Sequence, residues 1–376
     1  MTEKLYYQDS HLADFTARVL SCEQTGKSWT VTLDRTAFFP EGGGQPADTG
    51  RLGDARVLDV IEKNGEILHR TDIPLPVGSE TRGTLDMEQR LKRMQNHSGE
   101  HVVSGLVHRE YGFDNVGFHM GEDCMTIDFS GELDWEQLTQ IETMANAIVR
   151  GNLPVRTWFP ESAQLAEMEY RSKLELTENV RIVEIGEIDR CACCAPHVSR
   201  TGEIGLIKFL DCQRHRGGVR VTLVCGMDAL EEVRARQESV TEISWALSAK
   251  RDEVAQAVQR VLREGQSMKE RCDALSAALV ERMAADAEAT GGNLLVFDGL
   301  LDEIAQRELV NQLMRKCGGF AAVFCGDDTQ GWRYIIGSFH KDLRAASKDI
   351  NVAVGGRGGG RPEDDHGPRV FSQARD

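Results

Sequence analysis

The chain lacks any apolar run approaching membrane-spanning length, which leaves no candidate for a helical membrane span. Its N-terminal stretch, MTEKLYYQDSHLADF, has no charged segment followed by an apolar one, so no secretory targeting is expected. Positive charge is also scarce: 44 Lys and Arg stand against 60 Asp and Glu, a formal net charge of −16. That balance argues against a broadly basic nucleic-acid-coating protein but leaves room for a local positive strip. Neither a serine-hydrolase elbow nor a phosphate-binding P-loop competes for a catalytic role. The ten cysteines are scattered apart from one cluster at 191–194. Without a targeting segment they are expected to be reduced thiols in the cytoplasm.

What is present is ordinary globular material: 376 residues, 40% hydrophobic and 28% charged, enough for two or three domains. The first ninety residues read as β-rich, with β-branched stretches at Phe15–Cys22, Trp29–Leu33 and Ala55–Ile61. Turn signals at Lys63-Asn-Gly65 and Pro74–Gly78 separate them. From Asp86 to His108, Leu91, Met94, His97, His101 and Ser104 recur at three and four, which predicts a helix. Strands are expected at Met120–Phe129 and Glu203–Leu210 and a helix at Trp135–Arg150, an α+β pattern.

After Gly226 the composition changes. Val233, Val240, Leu247, Val254, Val261, Met268 and Leu275 recur every seven residues, which implies a long helix or helical hairpin packed as a coiled coil. The second apolar seam is irregular, so a break is expected near Ser248–Asp252. Beyond Gly291, Asn293–Phe297 and Phe320–Phe324 read as buried strands of a small α/β domain with a helix between them.

Chemistry concentrates in two places. In Gln95-Asn-His-Ser-Gly-Glu-His101 two histidines sit four apart on the predicted helix, so both imidazoles leave one face. Such pairs are also common in cores and on solvated faces, and the spacing only permits a shared ion. Cys193-Cys-Ala-Pro-His197 adds a thiolate and an imidazole. Four nitrogen and sulfur donors suit tetrahedral zinc better than magnesium or calcium. A closed set of four is structural, whereas a catalytic site keeps or opens a position for water. Cys191 and Cys194 fall off the clean spacing and are assigned to packing or to a reserve ligand, Cys194 being the more credible substitute.

His97-x-x-x-His101, then Cys193-x-x-x-His197, then Thr201-Gly-Glu-Ile-Gly205 resembles the editing domain of alanyl-tRNA synthetase and its free-standing AlaX relatives. Upstream, Thr36-Ala-Phe-Phe-Pro-Glu-Gly-Gly-Gly-Gln45 with Pro46 and Asp48-Thr-Gly50 is similar to the family's glycine-rich motif. Lys348-Asp-Ile-Asn351 and Gly355–Pro362 resemble the C-terminal domain that also accompanies DHH-type phosphoesterases. The resemblance covers nearly the whole chain and leaves no room for class II aminoacylation motifs. It departs at Cys194-Ala-Pro196, where Gly-Gly-Thr is usual, and at Asp364-Asp-His366 in the tail.

The resemblance implies a multidomain α+β protein. A small N-terminal β-barrel would cover 1–90 and a zinc-dependent editing domain 91–226. A helical hairpin or coiled coil would follow over 227–290, and a small tRNA-binding-like α/β domain over 291–376. It implies hydrolysis of the ester joining a wrong amino acid to tRNA-Ala, serine foremost and glycine second, by water activated beside Zn2+. His97, His101, Cys193 and His197 carry over as metal ligands. Thr36 carries over as reader of the serine hydroxyl, although a strand-end threonine is an equally ordinary reading. Gln45 and Gly42, Gly43 and Gly44 shape the pocket or simply form a tight turn. Arg357 and Arg361, set among glycines, are expected to contact tRNA phosphates, against the plain reading of a flexible glycine loop. The alternative function is a zinc-stabilised tRNA-binding or interaction module without catalysis, or hydrolysis of some other acyl ester. A homodimer through the helical arm or the C-terminal domain is a further expectation.

Overall fold

The computed structural model describes residues 2–172, 180–327, 329, 331–341, 343, 347–354, 359–360 and 369–372. It is a mixed α and β, multidomain structure with several sheets. The chain divides into two compact units, Met1–Ser239 and Val240–Asp376.

In the first unit, alternation of apolar and polar side chains produces six antiparallel strands: β1 (Asp14–Thr25), β2 (Ser28–Leu33), β3 (Gly50–Leu52), β4 (Ala55–Lys63), β5 (Glu66–Thr71) and β6 (Glu80–Leu85). Their ladders run in the order β1-β2-β5-β4-β3-β6 and return from β6 to β1, so the sheet closes on itself. Phe15, Val19, Leu33, Leu52, Val60 and Ile67 fill its interior. The Asn64-Gly65 pair joins β4 to β5 with φ of 53° and 79°, the left-handed backbone that a two-residue hairpin turn requires.

Helix α1 (Met87–Tyr111) follows, capped by the Asp86 carboxylate accepting from Gln89 N–H and ended by left-handed Gly112. It is buried along most of its length. It packs against α2 (Trp135–Gly151) and over a four-stranded antiparallel sheet. That sheet comprises β7 (Asn115–Met120), β8 (Met125–Phe129), β12 (Ile207–His215) and β13 (Gly218–Cys225), in the order β12-β13-β8-β7. A small sheet of β9 (Val155–Trp158), β10 (Ile182–Ile185) and β11 (Asp189–Ala192) delivers the cysteine cluster.

Two expected strands are corrected. Met120–Phe129 is two strands, because Gly121 N–H donates to Cys124 O and folds the chain back. Glu203 belongs to a 3-10 turn over Thr201–Ile204, since its carboxylate accepts from the backbone N–H of Ser199 and Arg200, and the strand starts only at Ile207.

Helix α3 (Met227–Ala246) contains the division between the units. A 3-10 turn at Arg251–Glu253 precedes α4 (Val254–Asp286), so the break lies where the irregular seam placed it. Within this single chain the heptad positions Val261, Met268 and Leu275 stay 45%, 63% and 63% exposed, so an intrachain coiled coil does not bury them. In the second unit, β14 (Leu294–Asp298), α5 (Glu303–Leu313), β15 (Ala321–Asp327) and β16 (Gly331–Ser338) are followed by α6 (Ser347–Val354), β17 (Gly359–Gly360) and β18 (Arg369–Ser372). The sheet order is β14-β15-β16-β18-β17. Leu309, Val310 and Leu313 of α5 pack on Val323 and Ile335 and on Val280 and Ala284 of α4. No helix among the described residues is long and apolar enough to cross a membrane.

Candidate metal centre

Helix α1 carries His97 and His101 one turn apart, and the loop after β11 carries Cys193 and His197. The donor atoms of these four residues lie within 4.8 Å of one another. Cys193 Sγ is 3.5 Å from His97 Nε2 and 3.4 Å from His197 Nε2. A tetrahedral zinc with bonds of about 2.3 Å to sulfur and 2.05 Å to nitrogen separates such atoms by about 3.5 Å. The spacing therefore fits one ion of that size.

The second nitrogen of each imidazole is held, which is what turns the first toward a common point. His97 Nδ1–H donates to Gln45 Oε1 at 2.9 Å, and His101 Nδ1–H donates to Asp189 Oδ2 at 2.8 Å. His197 Nδ1 lies 3.0 Å from Ser98 Oγ, and that oxygen also accepts from Val198 N–H at 3.2 Å. At His97 and His101 the partner is an oxygen that can only accept, so Nδ1 carries a proton and Nε2 is the nitrogen turned inward. The Ser98 hydroxyl can donate to or accept from His197 Nδ1. Asp189 is in turn anchored by Arg171 Nε at 2.7 Å. Burial opposes charge on Asp189, but His101 and Arg171 hold its carboxyl below the usual range.

Electrostatics suit the same purpose. Burial works against ionising Cys193, yet the neighbouring His97 and His197 outweigh it and hold the thiol well below its ordinary value. Burial pushes His197 down to about 3, so that it is a neutral donor at physiological pH. A thiolate beside neutral imidazole is the form a soft cation takes.

The glycine-rich turn lies against this cluster. Gly42 and Gln45 exchange backbone hydrogen bonds at 3.1 and 3.0 Å, while Gly43 and Gly44 have φ of 61° and 81°. A Cβ on Gly43 would meet Cys194 Sγ at 3.7 Å and His97 Cε1 at 3.9 Å, and one on Gly44 would strike Phe118 at 2.7 Å. The turn is tight, and it lies close to His97. Gln45 is fully buried and its Nε2 has no hydrogen-bond partner among the described residues.

A family model described as the threonyl and alanyl tRNA synthetase second additional domain matches residues 180–261, the segment that carries Cys193 and His197. The alanyl-tRNA editing protein AlaX-L of Pyrococcus horikoshii is 32% identical over 288 residues, covering 73% of this chain and 70% of that protein. The chain belongs to the AlaX-type alanyl-tRNA editing family. Alanine–tRNA ligases are similar too: that of Halobacterium salinarum is 34% identical over 363 residues, 89% of this chain and 38% of the ligase. The ligase of Methanopyrus kandleri is 31% identical over 387 residues, 96% of this chain and 42% of its own length. The chain spans less than half the length of these ligases.

In this AlaX-type chain, Thr36 is fully buried and bonded to His69 and to the backbone of Phe38, without a hydrogen bond to the four donors. Arg357 and Arg361 lie outside the described residues. The two cysteines off the clean spacing differ in their surroundings. The Cys191 sulfur lies within 4.8 Å of donor atoms of His101 and Asp189, whereas Cys194 joins no such group among the described residues.

Four further contributors escaped sequence reasoning: Ser98, Asp189, Arg181 and Arg90. Arg181 Nη1 donates to the carbonyls of Cys193 and Ala195 at 3.0 and 2.8 Å, so the departure at Cys194-Ala-Pro196 is braced by a guanidinium. Arg90, fully buried, pairs with Asp48 and donates to Ala37 O, tying the glycine-rich segment to α1. Only Ser98, inside the histidine motif, had a local signal.

Proposed function

We propose that this protein hydrolyses the ester linking a wrong amino acid to tRNA-Ala, with serine as the main substrate and glycine as a second. The observation that carries the reading is the convergence of three imidazoles, each held at Nδ1, and Cys193 within 4.8 Å of one another, with His97 and His197 Nε2 at 3.5 and 3.4 Å from the sulfur. His97, His101, Cys193 and His197 are the residues that hold Zn2+. The bound ion supplies a Lewis acid and an acidified water, which removes the need for a protein nucleophile. Gln45 orients His97 through Oε1 and keeps a buried N–H for the substrate. Gly42 to Gly44 leave the turn beside His97 without side chains and so admit the acyl group; a Cβ on Gly43 would stand 3.9 Å from His97 Cε1, and one on Gly44 would strike Phe118. Thr36 reads the serine hydroxyl, which alanine lacks.

The C-terminal unit, through Arg357 and Arg361, holds tRNA phosphates, and the exposed heptad seam of α4 pairs with a second copy. The deciding experiment is deacylation of Ser-tRNA-Ala and Gly-tRNA-Ala by metal-analysed protein, with and without a chelator. Hydrolysis that follows zinc content supports the reading. A folded, zinc-loaded sample that binds tRNA yet leaves both esters intact replaces it with the non-catalytic binding module.

A further inference from the structure

The closed sheet of the first unit encloses a polar pair that the metal cluster does not use. Thr36 and His69 are both wholly buried, within a core that includes Val31, Leu33, Phe38 and Ile67. Thr36 Oγ1 lies 2.8 Å from His69 Nε2 and accepts from Phe38 N–H at 3.1 Å. On the other side of the ring, His69 Nδ1 lies 3.3 Å from Val31 O. The Phe38 ring meets the imidazole edge-on at 5.7 Å between centroids.

Proton counting removes the ambiguity. A carbonyl can only accept, so Nδ1 carries the ring hydrogen and donates to Val31 O. Burial holds the ring neutral, its pKa pushed down to about 4, so Nε2 has only a lone pair. The single hydroxyl proton of Thr36 must therefore go to Nε2. Phe38 N–H occupies one lone pair of Oγ1, and what remains is one acceptor position and no donor. A group meeting that hydroxyl has to bring its own proton.

We infer that His69 is a specificity-positioning residue: by taking the Thr36 proton it sets the Thr36 hydroxyl as an acceptor for a side chain that carries a hydroxyl donor. This rests on the reading of Thr36 as the group that meets the substrate side chain. A serine ester satisfies the free lone pair; alanine leaves a buried polar atom unpaired, and glycine offers nothing to either. An apolar residue at 69 would free the hydroxyl to rotate and would leave its proton without an acceptor.

The test compares kcat/KM for Ser-tRNA-Ala and Gly-tRNA-Ala in zinc-analysed protein. His69→Phe is expected to slow serine release about tenfold, the worth of one correctly directed hydrogen bond. It should leave glycine release and zinc content unchanged. His69→Gln, whose carbonyl can accept from Thr36, should restore most of the serine rate. Combining His69→Phe with Thr36→Val should give the same serine-to-glycine ratio as Thr36→Val alone. An unchanged ratio in His69→Phe, or equal loss on both esters with zinc retained, overturns the inference. If Thr36→Val also leaves the ratio unchanged, it is the reading of Thr36 that fails. Nitrogen NMR of the wild-type imidazole gives a readout independent of any variant's folding. A neutral ring protonated on Nδ1 is expected, and a proton on Nε2 would overturn the assignment.

Discussion

Three imidazoles in this protein differ in what steadies them, and the differences set the cost of losing each support. His101 leans on a carboxylate that is itself bonded to Arg171. Asp189→Asn keeps the shape but loses the charge that raises the basicity of His101. Zinc affinity, read by competition with a chromophoric chelator, should fall by about 10- to 100-fold, as for other residues that orient a ligand. Wild-type affinity in that variant would show that the carboxylate does not support the metal centre. His69 makes a different prediction. Its folded pKa, near 4, lies below the ordinary value near 6.5, so the unfolded chain binds the extra proton first as pH falls. Its stabilising contribution is therefore complete above about pH 6.5 and declines toward pH 4, by roughly 3 kcal/mol in all. Urea midpoints measured from pH 7 to 4 should converge between His69→Phe and wild type as the histidine penalty grows. A constant gap would mean that His69 is not buried neutral.

At the scale of elements, the glycine-rich segment and α1 are joined through Asp48, which pairs with the fully buried Arg90 and, at 3.8 Å, with Arg93. Arg90 reaches Asp48, the carbonyl of Ala37 and that of Ser10, while Asp48 accepts from Phe39 N–H at 2.6 Å. Arg90→Met removes the buried cation and leaves the carboxylate only Arg93, 3.8 Å away, and the Phe39 N–H, at a cost of up to about 3–5 kcal/mol. Adding Asp48→Asn should recover part of that loss, which thermal or urea unfolding of the single and double variants would show. Full additivity of the two losses would mean the groups do not act as a pair. This junction also shows what the sequence made legible. Period-two and period-four patterns marked most strands and helices, and the i, i+4 histidines with the Cys-x-x-x-His loop marked the four donors. The limits lay where local pattern ends: Asp48 and Arg90, or Asp189 and His101, meet only through tertiary contact and have no spacing to read. The strands mistaken at 120–129 and 203–210 failed for a local reason. A backbone turn at Gly121 and a capping carboxylate at Glu203 overrode the β-branched composition.

At the scale of the whole molecule, every donor atom of the metal group, and every group that holds those donors, lies before Ser239, inside the first unit. The second unit has its own core, built on α5 and its sheet, and among the described residues the donors of that group all come from the first unit. If the division of labour follows the division of the chain, fragment 1–239 should fold, bind one zinc and cleave Ser-tRNA-Ala at an unchanged single-turnover rate. Its KM should rise about tenfold or more, because phosphate contacts made elsewhere are lost. The salt response separates this from simple damage. Each lost phosphate contact should flatten the plot of log affinity against log salt by roughly 0.7 to 0.9. For an acidic chain of net charge −16, a measurable slope in the full protein and a shallower one in the fragment would assign the positive strip to the second unit. Equal slopes with equal KM would place tRNA recognition wholly in the first unit, and Arg357 and Arg361 would then have no part in it.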